Sequence, residues 1–460
     1  MAREVLADLS GLTVNHTTRQ HATKIIFGDD KKPELVYTDL SELFPGYKFD
    51  QFGIDPSEYN GYDPEDKSTW HLGGKSVYMG EDPSEGGFVR AEPGIYFNVG
   101  LLDIASMHPS SIIALNLFGK YTVRYEDLVN MRLCIKHGDF ETARGMFEGR
   151  LSKWLEDEDS AANLADALKL VINSVYGFTS ATFENPFKDK KNVDNIVAKR
   201  GALFMIKLKK TLEEKGISVI HVKTDSIKVP NITPEIVAFV QEFGRKYGYN
   251  FEHESTYEKM CLVNGSTYIA KVASGKHEGE WVAVAAQFQH PYVFKTLFSK
   301  EELKFEDFCE IKEVKSNMVL DFNEGLADGE HCYEYIGKIG SFIPVCDGFG
   351  GGILLRDKAD IWRKAYDAWK ENPYDSKGRE KPEPNRYGSV TGADGYRWLN
   401  AEVVKSMPED KWKKMIDMRY YKTLVDEAIE AISQYGDFDQ FINYRNVVSE
   451  DFPPDDDLPF

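Results

Sequence analysis

GIYFNVGLLDIASMHPSSI (94–112) follows a long acidic stretch with a run of apolar and β-branched residues. That pattern predicts a buried strand, and Asp103 closes it. Further along, ISVIHV (217–222) and IKV (227–229) predict two strands around a short turn, and Asp225 sits in that turn, in HVKTDSIKV. If these strands are neighbours in one sheet, the two carboxylates meet at its rim. A pair of carboxylates suits magnesium, which takes one or two protein carboxylates and completes its shell with water and phosphate oxygens. An aspartate after a strand is more often a turn former or a helix N-cap, so neither residue decides the chemistry alone.

Between the two aspartates lies ALKLVINSVYG (167–177). On a helix, Lys169, Asn173 and Tyr176 stand at i, i+4 and i+7, within roughly 60° of one another. A lysine offers phosphate a point charge, and a tyrosine offers a base or sugar a flat ring. A plain amphipathic helix would show the same spacing. Working outward, residues 160–176 predict one helix, and 124–158 one or two more with a break at Gly138. TKIIFG (23–28) predicts a short strand. Residues 29–93, rich in Asp, Glu, Gly, Pro and Tyr, predict loops or a linker. CLVNGSTYIAKV (261–272) and EWVAVAAQF (280–288) predict further strands. The rest holds a glycine loop (GFGGG, 348–352), a Pro- and charge-rich stretch at 372–388, and a long amphipathic helix near 409–434.

The chain's 460 residues allow two to four subdomains. No apolar run spans a membrane, and the start, MAREVLADLSGL, lacks a secretory pattern. Five scattered cysteines without a CxxC pair predict reduced thiols, not a zinc module, and a cytoplasmic location. The net charge of −19 speaks against a nucleic-acid partner, but it is unevenly spread. Residues 29–92 carry −9 and residues 447–460 carry −5, whereas residues 356–414 carry +3. A local positive surface is enough for phosphate, because exposed charges are screened beyond roughly 8 Å.

Three segments, in this order, resemble the motifs of family B DNA polymerases: DIASMHPSSI (103–112), KLVINSVYG (169–177) and KTDSIKV (223–229). The second match is the most specific. The resemblance covers about 86–270 and continues more weakly through GSFIPV, GGGILLR and VTGADGYRWLNAE, runs like those of phage-encoded members. It implies an α+β right-hand architecture. The palm would be 88–120 and 200–320, the fingers 121–199, and the thumb and C-terminal elements 321–446, after an N-terminal segment 1–87 and before an acidic tail 447–460. It implies template-directed addition of deoxynucleoside triphosphates to the 3′-hydroxyl of a primer–template DNA. Asp103, Asp225 and the main-chain carbonyl of Ile104 would hold two magnesium ions, with manganese as a substitute. Ser106 and Met107 would offer backbone N–H groups to the triphosphate. Lys169 would neutralise it, beside Asn173 and Tyr176, with Arg150, or else Lys153, as a second cation. His108 would lie under the sugar. Gly86, Gly87, Thr224, Tyr268 and Lys271 would meet DNA.

The sequence departs from the family at four places. Lys223 replaces the first Asp of the third motif. His108 replaces a Tyr that excludes a 2′-hydroxyl. SEGG (84–87) carries Ser84 where a YxGG motif has Tyr. Ser266 replaces a primer-gripping Lys, with Lys271 as stand-in. These motivate an alternative: a catalytically weakened polymerase fold serving as a scaffold or binding subunit. Residues 1–93 are too short and too loop-like for a 3′–5′ exonuclease domain, and YNGYD (59–63) is read as coincidence, so a separate exonuclease chain is the expected partner in a phage-type split polymerase working in the bacterial host cytoplasm. The tail ends in DDDLPF, similar to the acidic tip of bacterial single-stranded DNA-binding proteins. The similarity implies that Asp455, Asp456, Asp457 and Phe460 dock on replication proteins. No membrane partner is expected.

Overall fold

The computed structural model describes residues 2–49, 76–189 and 195–444. Asp455, Asp456, Asp457, Phe460 and the YNGYD stretch lie outside the described residues. The chain mixes helix and sheet and divides into two compact units, residues 1–265, 270–280 and 445–460 in the first, and 266–269 and 281–444 in the second. The division near residue 280 places the strand 310–321, expected with the palm, in the second unit.

In the first unit, α1 (Ala2–Ser10) and α2 (Thr18–Phe27) form a helical pair. The strand expected at TKIIFG is thus a helix. A capping box between Thr17 and Gln20 starts it, Gly28 at φ +66° stops it, and the buried His21, Ala22, Ile26 and Phe27 follow a helical period. Start and stop signals prevail over the β-branched Ile25–Ile26 pair. The pair buries Val5, Leu6, Leu9, Ile26 and Phe27 in the main core, so residues 2–27 are part of the folded body and not a linker.

The site is carried by an antiparallel sheet. Its strands are β1 (Val89–Ala91), β2 (Gly94–Ile104), β3 (His221–Lys223), β4 (Ser226–Val229) and β5 (Phe251–Asn264). In space they run β1-β3-β4-β2-β5, and the sheet continues beyond β5. β2 is the central strand, half-buried at its start and more buried toward Asp103. Helices α3 (Met107–Ala114), α4 (Thr122–Lys136), α5 (Glu158–Thr179), α6 (Ile196–Glu214) and α7 (Pro234–Lys246) complete the unit. As expected, the helical run breaks at Gly138, which takes φ +76°. α5 starts where the Asp157 carboxylate accepts the Ser160 N–H, and Glu158 and Asp159 complement its first turn. Ala161, Leu164, Leu168, Val171, Ile172 and Val175 form its buried stripe.

The second unit has a five-stranded antiparallel sheet of β6 (Glu310–Asp321), β7 (Tyr333–Val345), β8 (Ile353–Asp357), β9 (Tyr387–Ser389) and β10 (Arg397–Asn400), ordered β9-β8-β6-β7-β10. Met318, Leu320, Phe342, Leu354, Trp398 and Tyr421 belong to its core. The long helix expected at 409–434 is two, Glu409–Met415 and Met418–Ser433. The buried Asp417 carboxylate caps the second by accepting the Arg419 N–H at 3.0 Å, and Ile416 is extended between them.

Candidate active site

Asp103 and Asp225 come together although 121 residues separate them in the chain. β2 and β4 pair with Asp103 opposite Ser226, and the Ile104 N–H donates to the Asp225 carbonyl at 2.9 Å. Both carboxyls are pushed above the usual range. Burial is the main cause for each, and for Asp103 the neighbouring Asp225 and Glu254 add to it and carry its pKa to about 7.

Glu254 escaped the sequence reading. β5 pairs with β2 through Leu101–Ser255 and Leu102–His253, so Glu254 is the extra residue of a β-bulge. A bulge re-aims a side chain, and here the re-aimed carboxylate faces both aspartates electrostatically. Beneath them lies Lys228, buried, with its pKa lowered to about 8 by burial and by Lys223. Its ammonium meets His221 Nδ1 at 3.1 Å, and His221 Nε2 lies 3.1 Å from the Gly265 carbonyl. Burial and Lys228 lower the His221 pKa to about 4, so the ring is neutral at pH 7. The alternation of charges in HVKTDSIKV and FEHES, inside otherwise apolar strands, is the signal that marks these residues.

Among the described residues, no three His, Cys, Asp or Glu side chains converge tightly enough to hold an ion by themselves. The donor set still fits magnesium, which needs only one or two protein carboxylates. Two carboxyls whose charged forms are disfavoured, mainly by burial, gain when a cation offsets that charge. Zinc would ask for nitrogen or sulfur ligands, and both nitrogens of the cluster's imidazole, His221, are engaged by Lys228 and the Gly265 carbonyl.

Next to Asp103 the chain turns through Ser106, at φ +60°, into α3. The first N–H groups of α3, from Met107 and His108, have no carbonyl one turn earlier and point out of the helix end. The Met107 side chain is buried against Gly201, where an added Cβ would meet Sδ at 2.7 Å. His108 stacks on Tyr176 of α5, ring centroids 3.9 Å apart and planes 6° from parallel. Burial lowers the His108 pKa, and its Nδ1 is buried without a hydrogen-bond partner. The stack joins two of the segments that the sequence singled out. On the same helix Lys169 and Asn173 are exposed, two turns and one turn before Tyr176 respectively.

Other expected residues have partners of their own within the chain. Arg150 donates to the Leu9 carbonyl at 3.2 Å and to Glu148 at 3.3 Å, and Lys153 pairs with Asp8 at 2.8 Å. Both proposed second cations are thus engaged with α1. The backbone passes through left-handed conformations at Phe147 and Glu148 just before Arg150, which redirects the segment. Lys271 donates to the Gly279 carbonyl, and Tyr268 is buried in the second unit. Thr224 packs on Gly87, and Gly86 is exposed beside it. All five cysteines are free thiols, and among the described residues no helix is long and apolar enough to cross a membrane.

No family model matches this chain, and no curated protein matches it. Among solved structures, the family B DNA polymerase from the hyperthermophilic archaeon Pyrobaculum calidifontis aligns with a TM-score of 0.43 and 13% identity, over 94% of this chain and 53% of that one. The chain therefore spans about half the length of that polymerase.

Proposed function

We propose that the chain is a template-directed DNA polymerase that adds deoxynucleotides to a primer 3′-hydroxyl. The observation that carries this reading is the meeting of Asp103 and Asp225 at one sheet rim, beside a helix end and the His108–Tyr176 stack. Phosphoryl transfer asks a protein mainly for positioning and charge stabilisation. Asp103 and Asp225, with Glu254 behind them, would hold magnesium. When bound, magnesium would activate the primer hydroxyl and offset charge on the triphosphate. The α3 N–H groups would receive triphosphate oxygens, and Lys169 would neutralise the departing pyrophosphate. His108, braced by Tyr176, would form the floor under the sugar. In this reading the sheet of the first unit is the palm, the helices around α5 are the fingers, and the second unit holds the thumb and C-terminal elements.

The test is single-nucleotide incorporation on four templates that differ at one base, with magnesium. The expected result is addition of the complementary deoxynucleotide on each. Nucleotide and DNA binding without any incorporation would favour the scaffold reading, for which Lys223 beside the carboxylates is the motive.

A further inference from the structure

The turn that carries Asp225 is held from outside by residues 76–89, and we propose that Gly87 and its loop are positioning residues for Asp225, acting through Thr224. Thr224 has φ +54°, a left-handed conformation that a β-branched residue keeps only when its surroundings over-determine it. Those surroundings are specific. The Thr224 N–H donates to the Phe88 carbonyl at 2.9 Å, and Lys223 pairs with Val89 across β3 and β1. The Thr224 side chain lies against the bare Cα of Gly87. A Cβ there would stand 2.9 Å from Cγ2 and 3.2 Å from Oγ1, and Gly87 itself has φ +137°.

The loop is in turn fixed to the core. The Ser84 hydroxyl donates to the Gly87 carbonyl at 2.6 Å, and the Asp82 carboxylate accepts the Ser84 N–H at 2.7 Å. Buried Lys199, on α6, donates to the Ser84 carbonyl and to Ser76 Oγ at 3.1 Å. One path thus runs from α6 through hydrogen bonds to Ser84 and Gly87, and on to Thr224 by packing on Gly87 and a hydrogen bond to the Phe88 carbonyl. The next residue is Asp225, whose carbonyl accepts the Ile104 N–H one residue past Asp103. The loop sets the Thr224 backbone, and the Thr224 backbone sets where the Asp225 carboxylate points. Neither Gly87 nor Ser84 needs to touch substrate for this.

The inference rests on the reading that Asp103 and Asp225 hold a divalent cation, so the experiment reads that cation directly. Binding of Mn2+ to the purified full chain, without DNA or nucleotide, is followed by electron paramagnetic resonance for wild type, Gly87→Ala, Ser84→Ala, Thr224→Ser, Gly87→Ala with Thr224→Ser, and Asp225→Asn, with melting temperatures recorded alongside. Changes to residues that orient metal ligands typically weaken metal binding by about 10–100-fold, and Gly87→Ala is expected in that range. Ser84→Ala, which leaves the φ of Gly87 unstrained, is expected to weaken it by a few-fold. Thr224→Ser removes the nearest atom, Cγ2, and so should recover part of the Gly87→Ala loss, a coupling that general destabilisation would not give. Loss in Asp225→Asn with wild-type affinity in both Gly87→Ala and Ser84→Ala overturns this proposal alone. Losses that Thr224→Ser leaves fully additive also overturn it. Mn2+ binding indifferent to Asp225→Asn overturns the cation reading and this proposal with it.

Discussion

The two units place their buried charges differently. In the first, Asp103, Asp225, Glu254, Lys228 and His221 are drawn into one cluster at strand ends, where burial raises the pKa of both aspartates and lowers those of Lys228 and His221. In the second, the buried carboxylates are paired separately, Asp307 with Lys295, Glu310 with His290 and Lys312, Asp321 with His331 and Asp417 with Arg419, and Lys315, Lys338, Arg356, Glu313 and Asp360 lie exposed around an open cleft of about 1010 Å3. Asp357, which lines the cleft, accepts two bonds from Arg386 at 2.9 and 2.8 Å near the surface. Crowded, desolvated charges store a need for a counter-ion, whereas solvated ones are already satisfied by water. The contrast makes the cluster of the first unit the place to test for chemistry.

The largest effect should come from the cluster. Asp103→Asn and Asp225→Asn are each expected to lower the kcat of primer extension by about 10³-fold or more, with circular dichroism unchanged. Near-wild-type turnover by either variant at saturating magnesium would remove the distinction between the units. Next is Lys169→Ala, expected to raise the nucleotide KM and lower kcat, for a loss of about 10²-fold in kcat/KM, while primer–template affinity barely changes. A variant that loses DNA binding and keeps its nucleotide kinetics would move Lys169 out of the triphosphate site. His108→Tyr should sharpen the preference for deoxy- over ribonucleotides, measured as a ratio of incorporation rates. An unchanged ratio would detach the His108–Tyr176 stack from the sugar.

A pH effect separates the units without any assay of activity. The Asp103 carboxyl titrates near 7 in the folded chain against an ordinary value of 3.8, so the native state holds the extra proton between those limits. Its contribution to stability therefore falls as pH rises through that window, and the full cost is present above it. Asp103→Asn should raise the metal-free melting temperature by roughly 2–4 °C at pH 8, with the gain shrinking toward pH 4. An equal gain at both pH values would mean that the carboxylate is not crowded. The smallest effect belongs to the second unit: Lys315→Gln with Lys338→Gln should change kcat by less than about twofold, because solvated surface charges contribute little.

Much of this was legible in the sequence where chemistry or capping dictates residue type. Asp103 and Asp225 close or join strands whose apolar runs are unambiguous. The α5 stripe fixes which face Lys169, Asn173 and Tyr176 share. What stayed hidden depends on three-dimensional offsets. Glu254 reaches the cluster only because a bulge shifts the β2–β5 register by one residue. Arg150 carries the charge expected of a second triphosphate ligand, and its bond to the Leu9 carbonyl, after a left-handed turn, is visible only in three dimensions. TKIIFG reads as a strand only while the Thr17–Gln20 capping box is overlooked. The 409–434 segment keeps its helical period, yet one capping aspartate, Asp417, divides it.

The most direct test of the central claim is extension of a recessed primer by the purified chain with magnesium and four deoxynucleoside triphosphates, run beside Asp103→Asn, Asp225→Asn and the double variant. The account predicts template-copied product from wild type, and losses in the two single variants that match the loss in the double, since one cradle can be broken only once. Template-copied product that survives the double substitution would contradict it.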